Sequence, residues 1–401
     1  MQQKVRFQLS GMMFLQYFIW GTWFVAMGRY LSEALGASGV QIGTAYGNAW
    51  FGAIISPFFI GMIADRFFAA QKVNGILHLL GAGLLYYLSV VKDVGQFSWL
   101  ILLYSVVYMP TIGLTNSIVF KQSNDSTKDF PQLRVVGTVA WIVANVLIGQ
   151  MNWGNTNYIF VIPAAASLAF AAYSFTLPNT PPNPSSQTSI YKVLGLDALV
   201  LFKDRSYSIF FIGSVLLCIP LSFYYGFANV FLTSGAKLTQ VETTMAVLGQ
   251  GSEVLFLLAL PFFLRTWGVR KILLVGMAAW VVRYLLFKFG YEGQTWMLYL
   301  GVLMHGICYD FFFATGQIYT DQKASPDIRN AAQGLITFAT YGLGLTLGSW
   351  FSGQVAGKYT TNGIIDWSAM WLVPAGIAAV VLAVFLVLFS ESQPKAGAQP
   401  A

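Results

Sequence analysis

Two carboxylates stand where the sequence offers them no water. Glu253 lies in an apolar run twelve residues before Arg265, and Asp310 lies in another, eleven residues before Asp321. Along a helix these offsets amount to about 18 Å and about 16 Å. Both groups then sit near the centre of a bilayer, where a charge costs roughly 2.5–3.5 kcal/mol on an insertion scale. A carboxylate kept at that depth faces a cavity or a partner. It can hydrogen-bond a polar solute, carry a proton, or form a buried pair that only fixes helix packing. The other thirteen of the fifteen acidic residues can be placed in loops or at the ends of apolar runs.

Spacing gathers companions around these two. Gln250 is one turn before Glu253 and projects from the same face. His305 and Tyr309 share a face at i and i+4, with Asp310 adjacent. Arg134 begins another apolar run, with Thr138 one turn on and Trp141 a further turn. A fourth run carries Pro220, then Ser222, Phe223, Tyr224, Tyr225 and Asn229. The proline removes one backbone hydrogen bond and is expected to bend its helix at the cavity. Amide, carboxylate, hydroxyl, imidazole and aromatic faces together suit a small polar, ring-bearing solute better than a lipid or a bare ion. Other polar residues read as structure. Gln16, Asn48 and Asn116 are expected to make interhelical hydrogen bonds, and His78 to be a satisfied helix residue. Cys218 and Cys308 are small packing residues, and Gly43-x-x-x-Gly47 and Gly344-x-x-x-Gly348 allow close helix approach. No P-loop, metal-ligand cluster or catalytic triad stands out, so neither a cofactor nor an enzyme's chemistry is expected.

The elements that position these residues follow from composition. Of 401 residues, 56% are hydrophobic and 9% charged, against roughly 25% charged in a soluble domain. Lipid is therefore the solvent for most of the chain. Apolar runs mark twelve candidate spans: 7–31, 39–64, 72–91, 97–120, 132–150, 157–177, then 208–233, 240–264, 270–290, 295–319, 328–356 and 368–390. Between the sixth and seventh lies a polar stretch opening with Asn179-Thr180-Pro181-Pro182-Asn183-Pro184. This gives an N-terminal six-helix bundle over 1–177, a cytoplasmic linker over 178–207 and a C-terminal six-helix bundle over 208–401. Helical spacing over 189–203 (Ile190, Leu194, Leu196, Leu199, Leu201) predicts an amphipathic helix on the membrane surface. With the N-terminus inside, sixteen Lys and Arg fall in inner loops and six outside, among them Arg29 and Arg283. That asymmetry places both termini in the cytoplasm. The first run lacks a cleavage site and should remain in the mature protein. The balance of +7 is spread singly over short loops, which argues against nucleic acid as a partner.

The two halves echo each other. Pro131-Gln132-Leu133-Arg134 follows the fourth span and Pro326-Asp327-Ile328-Arg329 follows the tenth, 326 − 131 = 195 residues later. Asp65-Arg66 has a degraded counterpart near Arg265, about 199 residues on. Parallel repeats of this kind resemble the major facilitator superfamily, with its site between the halves near the midplane. Gly61-Met62-Ile63-Ala64-Asp65-Arg66 resembles that superfamily's G-x-x-x-D-R signature, and so Gly61, Asp65 and Arg66 would form a cytoplasmic gate motif. Longer stretches narrow the likeness. Phe14-Leu15-Gln16-Tyr17-Phe18-Ile19-Trp20-Gly21, Tyr108-Met109-Pro110-Thr111, Gln250-Gly251-Ser252-Glu253, Tyr309-Asp310-Phe311-Phe312 and Arg329-Asn330-Ala331-Ala332-Gln333-Gly334 resemble the bacterial nucleoside:proton symporters, essentially end to end. The resemblance implies an all-α, twelve-helix, 6+6 carrier in the bacterial inner membrane, working as a monomer with a nucleoside and protons. It places Arg134, Thr138 and Trp141 on one side of the substrate. Gln250, Glu253, His305, Tyr309 and Asp310 lie on the other, with Glu253 or Asp310 coupling the proton. Ser222 and Tyr225 stand where the family tends to present amides, and His305 where a tyrosine is usual. A carrier of another small polar solute, such as a sugar or modified nucleoside, is the alternative; a membrane-embedded sensor or enzyme is a more distant one.

Overall fold

In hydrocarbon a backbone has no water to answer its N–H and C=O groups, so it must pair them within helices or a closed sheet. The apolar runs of this chain take the helical course. The computed structural model describes residues 2–56, 68–123, 125–181 and 196–390. The gate motif Gly61, Asp65 and Arg66 falls outside the described residues. The N-terminal half contains α1 (Gln3–Phe24), α2 (Gly39–Ser56), α3 (Ala70–Val90), α4 (Val94–Gln122), α5 (Ser126–Gln150) and α6 (Tyr158–Ser174). In the C-terminal half are α7 (Arg205–Val230), α8 (Gly251–Tyr291), α9 (Thr295–Leu303), α10 (His305–Tyr309), α11 (Thr315–Lys323), α12 (Arg329–Thr337), α13 (Leu345–Lys358) and α14 (Trp367–Leu388). A two-residue hairpin, Thr360–Thr361 with Ile364–Ile365, turns on Asn362 and Gly363, both at positive φ (51° and 78°). The Asn-Gly pair is the sequence a type I′ hairpin turn prefers.

By length and composition, six helices among the described residues can cross a membrane, and a seventh follows if α9 and α10–α11, bent by 42°, form one span. One of the six runs over 241–291 without a coil residue. At 1.5 Å per residue its 51 residues would extend about 75 Å, far beyond a hydrocarbon core of about 30 Å. Gly268 breaks it, with φ 73° and ψ 165°, a conformation open to glycine and strained for other residues. The expected spans 240–264 and 270–290 are thus two limbs meeting at that glycine.

Some helix pairings run parallel in the two halves. In the first half α1 packs on α5 and α6, α2 on α4, and α3 on α4 and α6; in the second, α7 packs on α13 and α14, and α8 on α14. A π turn at Tyr30–Ala34 follows the first span and another at Phe231–Gly235 follows α7. Their offset, 231 − 30 = 201, is near the 195 that separates the two proline motifs. Across the halves α2 meets α13, and α5 meets residues 241–250. Glycine makes the first of these seams possible: a Cβ on Gly43 would lie 2.5 Å from the Cα of Gly353.

Several structural readings hold. Gln16 donates to Thr111 (2.8 Å) and its Oε1 accepts from His78 Nε2 (3.2 Å), while His78 Nδ1 meets Ser167 (3.0 Å). This buried network ties α1, α3, α4 and α6 together. Asn48 donates to the carbonyl of Ser98, and Cys218 and Cys308 are free and buried. Two segments differ from the expectation. The described part of the expected amphipathic helix, Leu196–Lys203, is a 3₁₀ segment with Ala198 and Leu201 buried, packed against α7 and α12. Protein covers Ala198 and Leu201, while Leu199 and Val200 stay half exposed. Arg283, counted with the outer charges although the expected span 270–290 contains it, lies within α8 eight residues before its end at Tyr291 and is fully buried.

Asp204 closes that segment. Its carboxylate caps α7 by accepting from Ser206 N (2.8 Å) and Tyr207 N (3.3 Å), and pairs with Lys323 Nζ at 2.6 Å. Partial burial pushes the carboxyl up, but the Lys323 ammonium and the two backbone donors outweigh it, so its pKa falls below the ordinary value. A lowered folded-state pKa contributes stability above the unfolded pKa of about 4 and loses it as pH drops through the folded value. Asp204→Ala should therefore destabilise the purified protein by about 1 kcal/mol at pH 7, a difference that shrinks below about pH 4. Thermal unfolding against pH reads both; a deficit independent of pH would remove the charge from the account.

Candidate functional site

Helical spacing brings the polar faces of both halves to one cavity of about 160 Å³, room for on the order of ten waters. From α5 come Arg134, Thr138, Trp141 and Asn145; from the other half come Gln250, Glu253, His305, Tyr309 and Tyr225. Arg134 stacks 4.0 Å above the ring of Tyr17 and faces Glu253 across the opening, close enough for their charges to interact. The Glu253 carboxylate lies 3.6 Å from His305 Nε2 and beside the Gln250 amide. His305 stacks between Tyr224 (5.1 Å) and Tyr309 (5.7 Å), and the Tyr309 and Tyr341 hydroxyls share a hydrogen bond. Trp20, Trp50 and Trp141 form an aromatic wall, with Trp20 edge-on to each of the other two. The cavity therefore pairs one cation with one carboxylate, surrounds them with neutral donors and acceptors, and offers flat rings for stacking.

Eight of the ten expected substrate-side residues line this space. Ser222 and Asp310 do not. Ser222 turns its hydroxyl to the carbonyls of Cys218 (2.8 Å) and Leu345 (3.4 Å), against α13, while Tyr225, almost one turn later, takes the cavity position. Asp310 follows cavity-facing Tyr309 by one residue, a rotation of about 100°. Its side chain is 1% exposed and Oδ2 has no hydrogen-bond partner. Asn145, Tyr17, Trp20 and Phe24 escaped the sequence reading although a helical period carried them. Asn145 continues Arg134, Thr138 and Trp141 at intervals of four, three and four. Tyr17, Trp20 and Phe24 repeat at three and four.

A second polar cluster joins the halves beyond one end of the cavity. Arg29 Nη1 lies 3.2 Å from Glu242 Oε1, and its Nε lies 3.1 Å from Glu33. Glu242 also accepts from Asn229 (3.2 Å), and Glu33 from Ser234 (2.6 Å). Glu242 is fully buried, although its place at the start of an apolar run marked it as a loop acid. At the same end Gly28 abuts the Gly226 carbonyl and Gly149 abuts Thr243.

The family model described as nucleoside H+ symporter matches residues 3–394. The chain belongs to that family. It is 41% identical to the putative nucleoside transporter YegT of Escherichia coli, covering 97% of this chain and 95% of that protein. It is 34% identical to that organism's nucleoside permease NupG, covering 96% of each. A crystal structure of the nucleoside transporter NupG superposes with a TM-score of 0.88 at 33% identity, over 97% of this chain and all of that one. A D-xylose-proton symporter, 14% identical, superposes at 0.69 and shows the shared fold alone. The symporter is thus an all-helical, multi-pass membrane carrier of the major facilitator fold, and not an enzyme.

The Arg29–Glu242 cluster makes a prediction of its own. Removing the Glu242 charge leaves Arg29 with Glu33 as its remaining carboxylate partner, so the loss falls below the about 3–5 kcal/mol of a fully buried pair left uncompensated. In a symporter lacking Cys218 and Cys308, Glu242→Gln should raise maleimide labelling of a Thr233→Cys thiol several-fold. Labelling equal to that of the parent would show that the cluster does not hold this end shut.

Proposed function

We propose that the symporter imports nucleosides together with protons across the bacterial inner membrane by alternating access. Twelve spans form two six-helix bundles, over 1–177 and 208–401, joined by the linker 178–207, and both termini are cytoplasmic. The observation that carries this reading is the cavity between the halves, with Arg134 and Glu253 facing each other across it. A nucleoside suits its lining: Trp20, Trp50 and Trp141 offer faces to the base, while Thr138, Asn145, Gln250 and His305 meet base edge and ribose hydroxyls. The lining cation stands opposite a lining carboxylate, which leaves no surplus positive charge for a phosphate. Ser222 and Asp310 act from behind the wall, Ser222 on helix packing and Asp310 on the proton.

Protonation of Glu253 or Asp310 neutralises an intramembrane charge and so lowers the cost of closing the site around its cargo. The Arg29–Glu242 cluster closes the outer end in this conformation, so the cavity delivers inward. One chain supplies every residue invoked, consistent with a monomer as the working unit.

Uptake of labelled uridine and adenosine by a strain without its own permeases tests the whole reading. Accumulation should exceed that of the empty strain at least tenfold and collapse with an uncoupler. Uptake indifferent to the pH gradient would remove proton coupling, and a thermal-shift panel answered by sugars alone would move the chain to another solute. Glu253→Gln should abolish driven uptake at normal membrane levels of protein. Full activity in that variant would clear Glu253 of any role.

A further inference from the structure

Arg283 takes no part in the cavity, yet it is among the most costly residues of the fold. Its side chain is fully buried in the second limb of α8. Nε donates to the Gly301 carbonyl at 3.0 Å, but Nη1 and Nη2 have no hydrogen-bond partner. Among the described residues it makes no ion pair. A guanidinium stays charged at any physiological pH, and a buried charge without a carboxylate is rarely kept for packing. Its neighbours are aromatic faces, Tyr224 at 4.1 Å and Trp280 at 5.0 Å.

A second orphan lies on the facing helix: Asp310, buried, with Oδ2 unpartnered. The register between the two helices is fixed at three points. Gly276 abuts the Phe311 backbone, Trp280 Nε1 donates to the Cys308 carbonyl at 3.0 Å, and Gly301 abuts Phe287. Arg283 is therefore level with His305, five residues and about 7 Å from Asp310 along the axes. Trp280 bridges the interval, its ring under the guanidinium and its indole N–H on the residue two before Asp310. The aspartate also opens a π turn, Asp310–Ala314. Tightening such a turn to α geometry rotates one side of the helix by about 100° relative to the other, which changes the face Asp310 presents.

We propose that Arg283 is the counter-ion that Asp310 takes when it has given up its proton. The inference rests on the reading of Asp310 as a proton-carrying group. In the conformation described here the two charges are apart; in the deprotonated state the π turn relaxes and the carboxylate meets the guanidinium. The titratable groups facing the pair are Tyr224 on α7, Tyr284 on the same limb, His305 and Cys308 on the facing helix, and Glu253 from the first limb of α8. Arg283 is on this account a positioning residue that touches no substrate.

The test uses full-length symporter in vesicles, with driven uridine accumulation and gradient-free uridine counterflow measured for Asp310→Asn, Arg283→Gln, Arg283→Lys and the Asp310→Asn/Arg283→Gln double variant. Each single neutral variant should lose at least tenfold in accumulation while counterflow persists at a reduced rate. Arg283→Gln should also flatten the pH dependence of counterflow, and Arg283→Lys should restore it in part. The double variant should be no worse than either single one. Wild-type accumulation and pH profile in Arg283→Gln, or a double-variant loss equal to the product of the single ones, overturns the inference. If Arg283→Gln fails to reach the membrane, a double variant that does reach it supports the pair, and one that fails equally overturns it. Uncoupler-sensitive accumulation by Asp310→Asn would instead overturn the reading of Asp310 itself.

Discussion

A charge in hydrocarbon has to be answered from within the protein, and that constraint organises this molecule. Lipid accepts no hydrogen bonds, so the backbone becomes helix and each ionic side chain turns to a partner or a cavity. Arg134 and Glu253 face each other across the central space. Arg29 and Glu242 meet where the halves touch. Both pairs cross from one half to the other, so the attractions that make the buried charges tolerable also set how the bundles sit. A carrier must break and remake contacts between its halves, and ionic contacts are easily shifted by a proton or a polar cargo.

Much of the fold was legible because periodicity and composition are strong signals over twenty-residue apolar runs. The all-helical class followed from such runs, and two short motifs near 195 residues apart pointed to a repeat. Helix breaks were less visible. The limbs of α8 join without coil at Gly268 because a single residue at positive φ redirects the chain, and one glycine in an apolar context carries little signal. Arg283 was misplaced for another reason. A basic residue in the outer part of a run was counted with the outer charges, but burial inside the bundle cannot be read from its position along the run.

At the site, residue type and spacing found one wall well and depth poorly. Arg134, Thr138 and Trp141 project together because a helix returns to the same face every three or four residues, and the rule would have added Asn145. Spacing along one helix does not say which face meets the cavity. Hence Tyr309 lines it while Asp310 does not, and Tyr225 lines it while Ser222 packs against α13. Contacts between distant segments, such as Tyr309 with Tyr341 or Arg29 with Glu242, depend on how helices pair across the bundle.

The seam between α2 and α13 is built from backbone. Gly39 lies against Ala356, and Gly43 against Gly353 and Ser349. Around Gly43 few side chains intervene, while Trp350 fills the far end of the seam against Gly47 and Phe51, so one surface can roll over the other about the close backbone contact. A fulcrum of this kind lets two rigid bodies tilt while the contact line merely migrates. Any side chain larger than hydrogen at Gly43 would act as a wedge in the hinge, and it would disturb the motion of the carrier more than its resting shape.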